Sequence, residues 1–158
     1  MQVKQTSDAS LRFEKADYEA LSAFRYALRR FLRFSEDAAR AHGITPQQHQ
    51  LLLAIKGFPG REWASIRELS ERLQLRHHSV VGEVDRAAEA GLVVREAHPV
   101  DRRAVAVSLT PAGERLLASL TAVHRGELLR VHTQLAAVAS AVGKRISDAP
   151  PTDDRPRI

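Results

Sequence analysis

The chain has 158 residues, 44% hydrophobic and 27% charged, with 24 Lys+Arg against 19 Asp+Glu, 7 His and no Cys. That length corresponds to about one domain and that apolar share supports a real core, which excludes a disordered chain and a disulfide-built miniprotein. Without cysteine, thiol nucleophiles, Cys-ligated zinc, iron-sulfur clusters and thiol redox sensing are excluded together.

Residues 1–16 are polar and aperiodic. This N-terminal arm lacks the apolar stretch of about 7 residues that a signal peptide needs. No apolar run is longer than 51–55, which is too short to span a bilayer, so a cytoplasmic protein is expected. From Asp17 apolar residues recur at Leu21, Phe24, Leu28, Phe31 and Leu32 until Gly43, predicting an amphipathic helix over 17–42. Thr45-Pro46-Gln47-Gln48 supplies an N-cap, a first-turn proline and a third-position glutamine for a helix over 46–56. Gly57, Pro59 and Gly60 make a loop, and Ser65-Ile66-Arg67-Glu68 is a capping box that opens a short helix over 66–73.

After a tight turn, Val80, Val84, Ala87 and Ala88 share one face of a fourth helix that Gly91 ends. Two β-prone runs, 92–97 and 104–109, are joined by His98-Pro99-Val100-Asp101-Arg102-Arg103, a hairpin with a charged tip. Thr110-Pro111 begins a long helix with apolar positions at 117, 120, 128, 131, 135, 138 and 142, and 147–158 reads as a flexible tail. The fold class is mainly α with a small β-hairpin wing. One domain spans 17–146, with a lobe over 45–110 flanked by long helices over 17–44 and 111–146.

Helix, turn, helix, then a hairpin with arginines at its tip is the order of a winged helix-turn-helix, whose second helix enters the DNA major groove. Net charge alone does not make that case. Basic and acidic residues number 9 and 6 over 1–60, 8 and 8 over 61–105, and 7 and 5 over 106–158. The DNA reading therefore rests on where the arginines point. On the fourth helix the face opposite the apolar stripe carries His78, Gly82, Asp85, Arg86 and Glu89, and the N-terminal turn adds His77 and Ser79. Two long helices with wide apolar stripes exceed what a lobe of about 65 residues could cover, so burial against a second copy across a twofold axis is expected.

The runs Gly91-Leu92-Val93-Val94-Arg95, Asp101-Arg102-Arg103 and Ser108-Leu109-Thr110-Pro111-Ala112-Gly113 resemble, in wording and spacing, the wing signature of the MarR family of bacterial transcription regulators. Ile44-Thr45-Pro46-Gln47-Gln48 resembles that family's start of helix two, and the likeness extends over 17–145. It implies an obligate homodimer held by the first and last helices, double-stranded DNA with an inverted-repeat operator as partner, and release by a small aromatic or anionic effector. Three positions depart from the family pattern. Arg76 holds the cap position of the fourth helix, Gly82 replaces an arginine, and Glu83 stands where leucine is common.

The candidate DNA-binding residues are thus Arg76, His77, His78, Ser79, Gly82, Arg86, Asp101, Arg102 and Arg103, with Asp101 orienting the wing by pairing with an arginine and Arg103 matching the family's most regular wing arginine. A solvated hairpin tip is the plain alternative for 101–103. For His77-His78 a metal site is disfavoured, because adjacent helical residues point about 100° apart and neither has a third ligand one turn away. No metal or cofactor is expected. His124, inside the apolar stripe of the last helix, reads as a buried or interfacial histidine, with ligand sensing as the alternative. Trp63 is read as packing at the base of the wing or lining a ligand pocket. Arg25, Arg29 and Arg33 form a stripe that is either a solvated face or, by the resemblance, an anion site near the DNA-binding lobe; Arg25, Arg29 and Trp63 are the candidate effector residues. Enzyme signatures are absent: no Gly-rich phosphate loop, no G-x-S-x-G and no H-E-x-x-H occurs. A winged-helix module that binds only protein is the competing class.

Overall fold

The structure, a computed structural model, describes residues 14–101 and 103–148. Its elements in chain order are α1 (Lys15–Ala41), α2 (Pro46–Lys56), β1 (Trp63–Ser65), α3 (Ile66–Leu73), α4 (His77–Glu89), β2 (Val93–Ala97), β3 (Val105–Leu109) and α5 (Pro111–Asp148). Helix α1 begins two residues before the expected start. Helix α5 continues through residues 147 and 148, which the sequence pattern assigns to the tail. Residues 1–13 of the expected arm and 149–158 of the expected tail lie outside the described residues. No helix among the described residues is long and apolar enough to cross a membrane.

Both capping boxes form as their sequences dictate. Thr45 Oγ1 accepts from the Gln48 amide at 3.1 Å while the Thr45 amide donates to Gln48 Oε1 at 3.0 Å. Ser65 and Glu68 repeat the exchange at 3.4 and 2.8 Å. Each satisfies donors that a helix start leaves orphaned. The end of α4 needs the left-handed backbone of Gly91 (φ 69°), which lets the Leu92 amide reach back to Ala87 O at 2.9 Å and drops Leu92 into the core. Between α3 and α4 the same closure falls on Gln74, a non-glycine at φ 54°. Its Nε2 donates to Glu71 O at 2.6 Å and helps hold that conformation.

The sheet holds one strand more than the hairpin expected from sequence. Strand β1 pairs antiparallel with β3 (Trp63 opposite Ser108, Ser65 opposite Ala106), giving the order β1-β3-β2. Three residues are too few to show the alternation that marks a strand, so β1 exists through its partner alone.

The described residues divide into two compact units, one within 32–127 and a second formed by 14–31 with 128–148. The core of the first gathers Leu51, Leu52 and Ile55 of α2, Leu69 of α3, Val80, Val84 and Ala87 of α4, and Val107 of β3, all fully buried. Burial of each such Leu or Ile is worth about 1.5–3 kcal/mol, so α3, α4 and the sheet are held by packing rather than by helix propensity. The start of α5 is keyed to the same unit. Thr110 Oγ1 donates to Gly91 O at 2.6 Å and accepts from the Gly113 amide at 3.0 Å. A Cβ at Gly113 would collide with the Leu92 carbonyl, which is why only glycine fits there.

Candidate nucleic-acid interface

The outer face of α4 and the tip of the wing carry the residues expected to meet DNA. Arg76, His77, His78 and Arg86 are exposed, and Ser79 and Gly82 are half-buried. Arg76 stands at the N-cap of α4 with no side-chain cap hydrogen bond. An uncapped helix N-terminus is a ready anion site, because its amides and its dipole both favour negative charge.

Two acids of α4, Glu83 and Asp85, are matched by arginines. Arg86 Nη2 lies 2.5 Å from Glu83 Oε1, with the Glu83 side chain only 15% exposed. The side chain of Arg86 lies back over Gly82, whose missing Cβ would sit 3.4 Å from Nη1. Asp85 is paired with Arg95 of β2, Nη1 to Oδ1 at 2.5 Å, while Arg95 Nη2 donates to Val81 O at 3.5 Å. Arg95 thereby ties wing to α4. In the sequence it stands out only as part of the wing signature, because its role depends on a helix–strand juxtaposition that spacing does not show.

At the wing tip Asp101 and Arg103 are exposed, and Val100 is 89% exposed; Arg102 lies outside the described residues. Among the described residues Asp101 makes a backbone bond. Asp101 Oδ1 accepts from the Arg103 amide at 2.9 Å, the ordinary behaviour of a carboxylate two residues before a donor in a turn. His98 Nδ1 accepts from the amides of Val100 and Asp101 at 3.2 and 3.0 Å. Sequence reasoning misses His98, although a residue with an acceptor on its δ atom before Pro99 is a turn signal.

Trp63 sits at the base of the wing, in β1. Its ring meets the His98 ring edge-on, with centroids 4.9 Å apart, and Arg61 lies over its face at 3.8 Å. Arg61 also covers the Phe58 ring at 4.3 Å and pairs with Glu68, the residue that caps α3. The Ser65 and Arg61 hydrogen bonds hold the Glu68 carboxyl below its ordinary value, against an opposing and larger single contribution from burial. Arg25 and Arg29 are exposed on α1, in the other unit from Trp63. Arg33 is paired with Asp37 at 3.4 Å. No group of three His, Asp or Glu among the described residues is arranged to hold a metal ion.

Residues 42–104, which contain α2 through the wing tip, match the family model for the MarR family. The chain is 30% identical over 90 residues, 57% of its length, to a protein of Thauera aromatica assigned to transcriptional regulation of the hcr operon, and it spans only about half (52%) of that relative. Among solved structures it is similar to a mutant form of Escherichia coli MarR complexed with operator DNA, with a TM-score of 0.62, 17% identity and coverage of 88% of this chain and 100% of that one. It is also similar to Bordetella bronchiseptica BpsR, whose DNA binding is regulated by 6-hydroxynicotinic acid, with a TM-score of 0.59, 19% identity and coverage of 80% and 98%. Residues 42–104, with the helix-turn-helix and the wing, thus match the MarR family, and the chain shares the winged helix-turn-helix fold of the solved MarR structures.

Proposed function

We propose that the protein is a sequence-specific double-stranded DNA-binding regulator, a ligand-responsive homodimeric repressor acting on a pseudo-palindromic operator in the cytoplasm. The observation that carries this reading is the pairing, on one lobe, of an uncapped α4 start bearing exposed His77 and His78 with a wing tip bearing exposed Arg103. Helix α4 lies in the major groove. Arg76 and the first-turn amides hold a phosphate, His77, His78 and Ser79 hydrogen-bond base edges, and Gly82 lets the backbone approach. Arg86 reaches a phosphate by leaving Glu83. Asp101, Arg102 and Arg103 form the wing contact with the minor groove and its flanking phosphates. The operator complex of MarR supports DNA as the partner.

Dimerisation is supported by the apolar surface that the 1–31 and 128–158 unit leaves in solvent. Tyr18 is 61% exposed, Leu21 58% and Leu129 66%, with Phe24, Leu28 and Leu128 beside them in the same class. Surface of that kind is covered by a second copy. The regulation of BpsR supports an aromatic carboxylate as effector, for which the exposed guanidinium groups of Arg25 and Arg29 are the cationic partner. Trp63, its ring already covered by Arg61 and His98, is left out of that site.

Footprinting on the promoter beside the protein's own gene tests the reading. An inverted repeat with half-site centres about 34–36 Å apart is expected, released by 6-hydroxynicotinate for wild type and not for Arg25→Ala/Arg29→Ala. Protection of a single half-site or of direct repeats overturns the dimer, and equal release of both proteins removes the arginine site.

A further inference from the structure

His98, half-buried just beyond β2, offers one ring nitrogen to two backbone donors at the wing tip, Val100 and Asp101. An amide N–H can only donate, so Nδ1 bears its lone pair and no proton whenever this turn is made. Asp101 in turn fixes the Arg103 amide through Oδ1, and its carbonyl accepts from Ala104 at 3.0 Å. The ring of His98 is set against Trp63, which β1 anchors in register with β3. A chain of constraints therefore runs from the sheet through Trp63 and His98 to Asp101 and the backbone of Arg103.

We infer that His98 is the positioning residue of the wing: the lone pair of Nδ1, accepting from two tip amides, holds the tip in the conformation that engages DNA. The inference rests on the DNA-binding reading above.

Two variants split the acceptor from the ring. His98→Asn keeps an acceptor on the δ atom and loses the ring, whereas His98→Phe keeps a ring against Trp63 and loses the acceptor. At about pH 8, His98→Asn is expected to bind operator within about threefold of wild type and His98→Phe about tenfold more weakly, the equivalent of the two lost hydrogen bonds. Amide exchange at Val100 and Asp101, read by NMR, should be slow in wild type and His98→Asn and fast in His98→Phe. Wild-type binding by His98→Phe, or binding by His98→Asn as weak as that of His98→Phe, overturns the inference. Arg103→Ala is measured alongside: a loss there without one in His98→Phe removes only the role of His98, while no loss in Arg103→Ala removes the wing as a DNA contact.

Discussion

His49 shows what a single residue of α2 contributes beyond the DNA-facing surface. It is buried to 5% exposure, its Nδ1 3.4 Å from Ser35 Oγ and its ring 4.9 Å from that of His124. His124 is itself buried, with Nδ1 donating to Leu120 O at 2.6 Å. Burial, then the neighbouring His124 and His42, hold the His49 imidazole below its ordinary value of 6.5. The folded protein thus resists the proton that the unfolded chain accepts. As pH falls below about 6.5 the unfolded state binds more protons than the folded one, and stability is lost until the folded group also titrates. Thermal melts of wild type should drop in Tm between about pH 7.5 and pH 5, with a shallower drop for His49→Gln. An unchanged slope in that variant means another group carries the acid sensitivity. The burial of His124 was legible because it interrupts a regular apolar stripe. His49 was not, because its neighbours Ser35 and His124 are remote in sequence and α2's apolar pattern is complete without it.

At the scale of elements, the two glycines singled out by their motifs behave oppositely. Gly113 starts α5 against the Leu92 carbonyl, and Gly113→Ala forces backbone apart from backbone; a loss of about 1–3 kcal/mol or more in urea unfolding is expected. Gly82 lies mid-helix with only the flexible Arg86 guanidinium near its missing Cβ, so Gly82→Ala should stabilise by up to about 1 kcal/mol. Tolerance of alanine at 113, or a loss at 82, contradicts these packings. Helices were legible to within two residues where caps are explicit, as at Thr45 and Ser65. The left-handed backbone of Gln74 within the expected turn and strand β1 were not, since Gln74 is not a glycine and β1 is defined by pairing with β3. The wing's arginines were legible as a motif, but the partner of Arg95, a carboxylate on α4, was not.

For the whole molecule, composition pointed to a chain whose middle third is electrically neutral, and the ion pairs explain how such a lobe can still face DNA. Glu83 and Asp85 are each matched by an arginine, while Arg76 and Arg103 stand exposed. The apolar surplus on α1 and α5 was also legible from periodicity and stands in solvent on the single chain. The most direct measurement is the affinity of wild type, Arg103→Ala and His78→Ala for operator and for random duplex across a range of salt. Wild type should bind random duplex with a steep salt dependence, Arg103→Ala should weaken both duplexes and lower the slope by about one, and His78→Ala should erode the operator preference with little change in slope. Unchanged affinity and slope in Arg103→Ala, together with salt-insensitive binding by wild type, would contradict a DNA-binding winged helix and point to a lobe that binds protein.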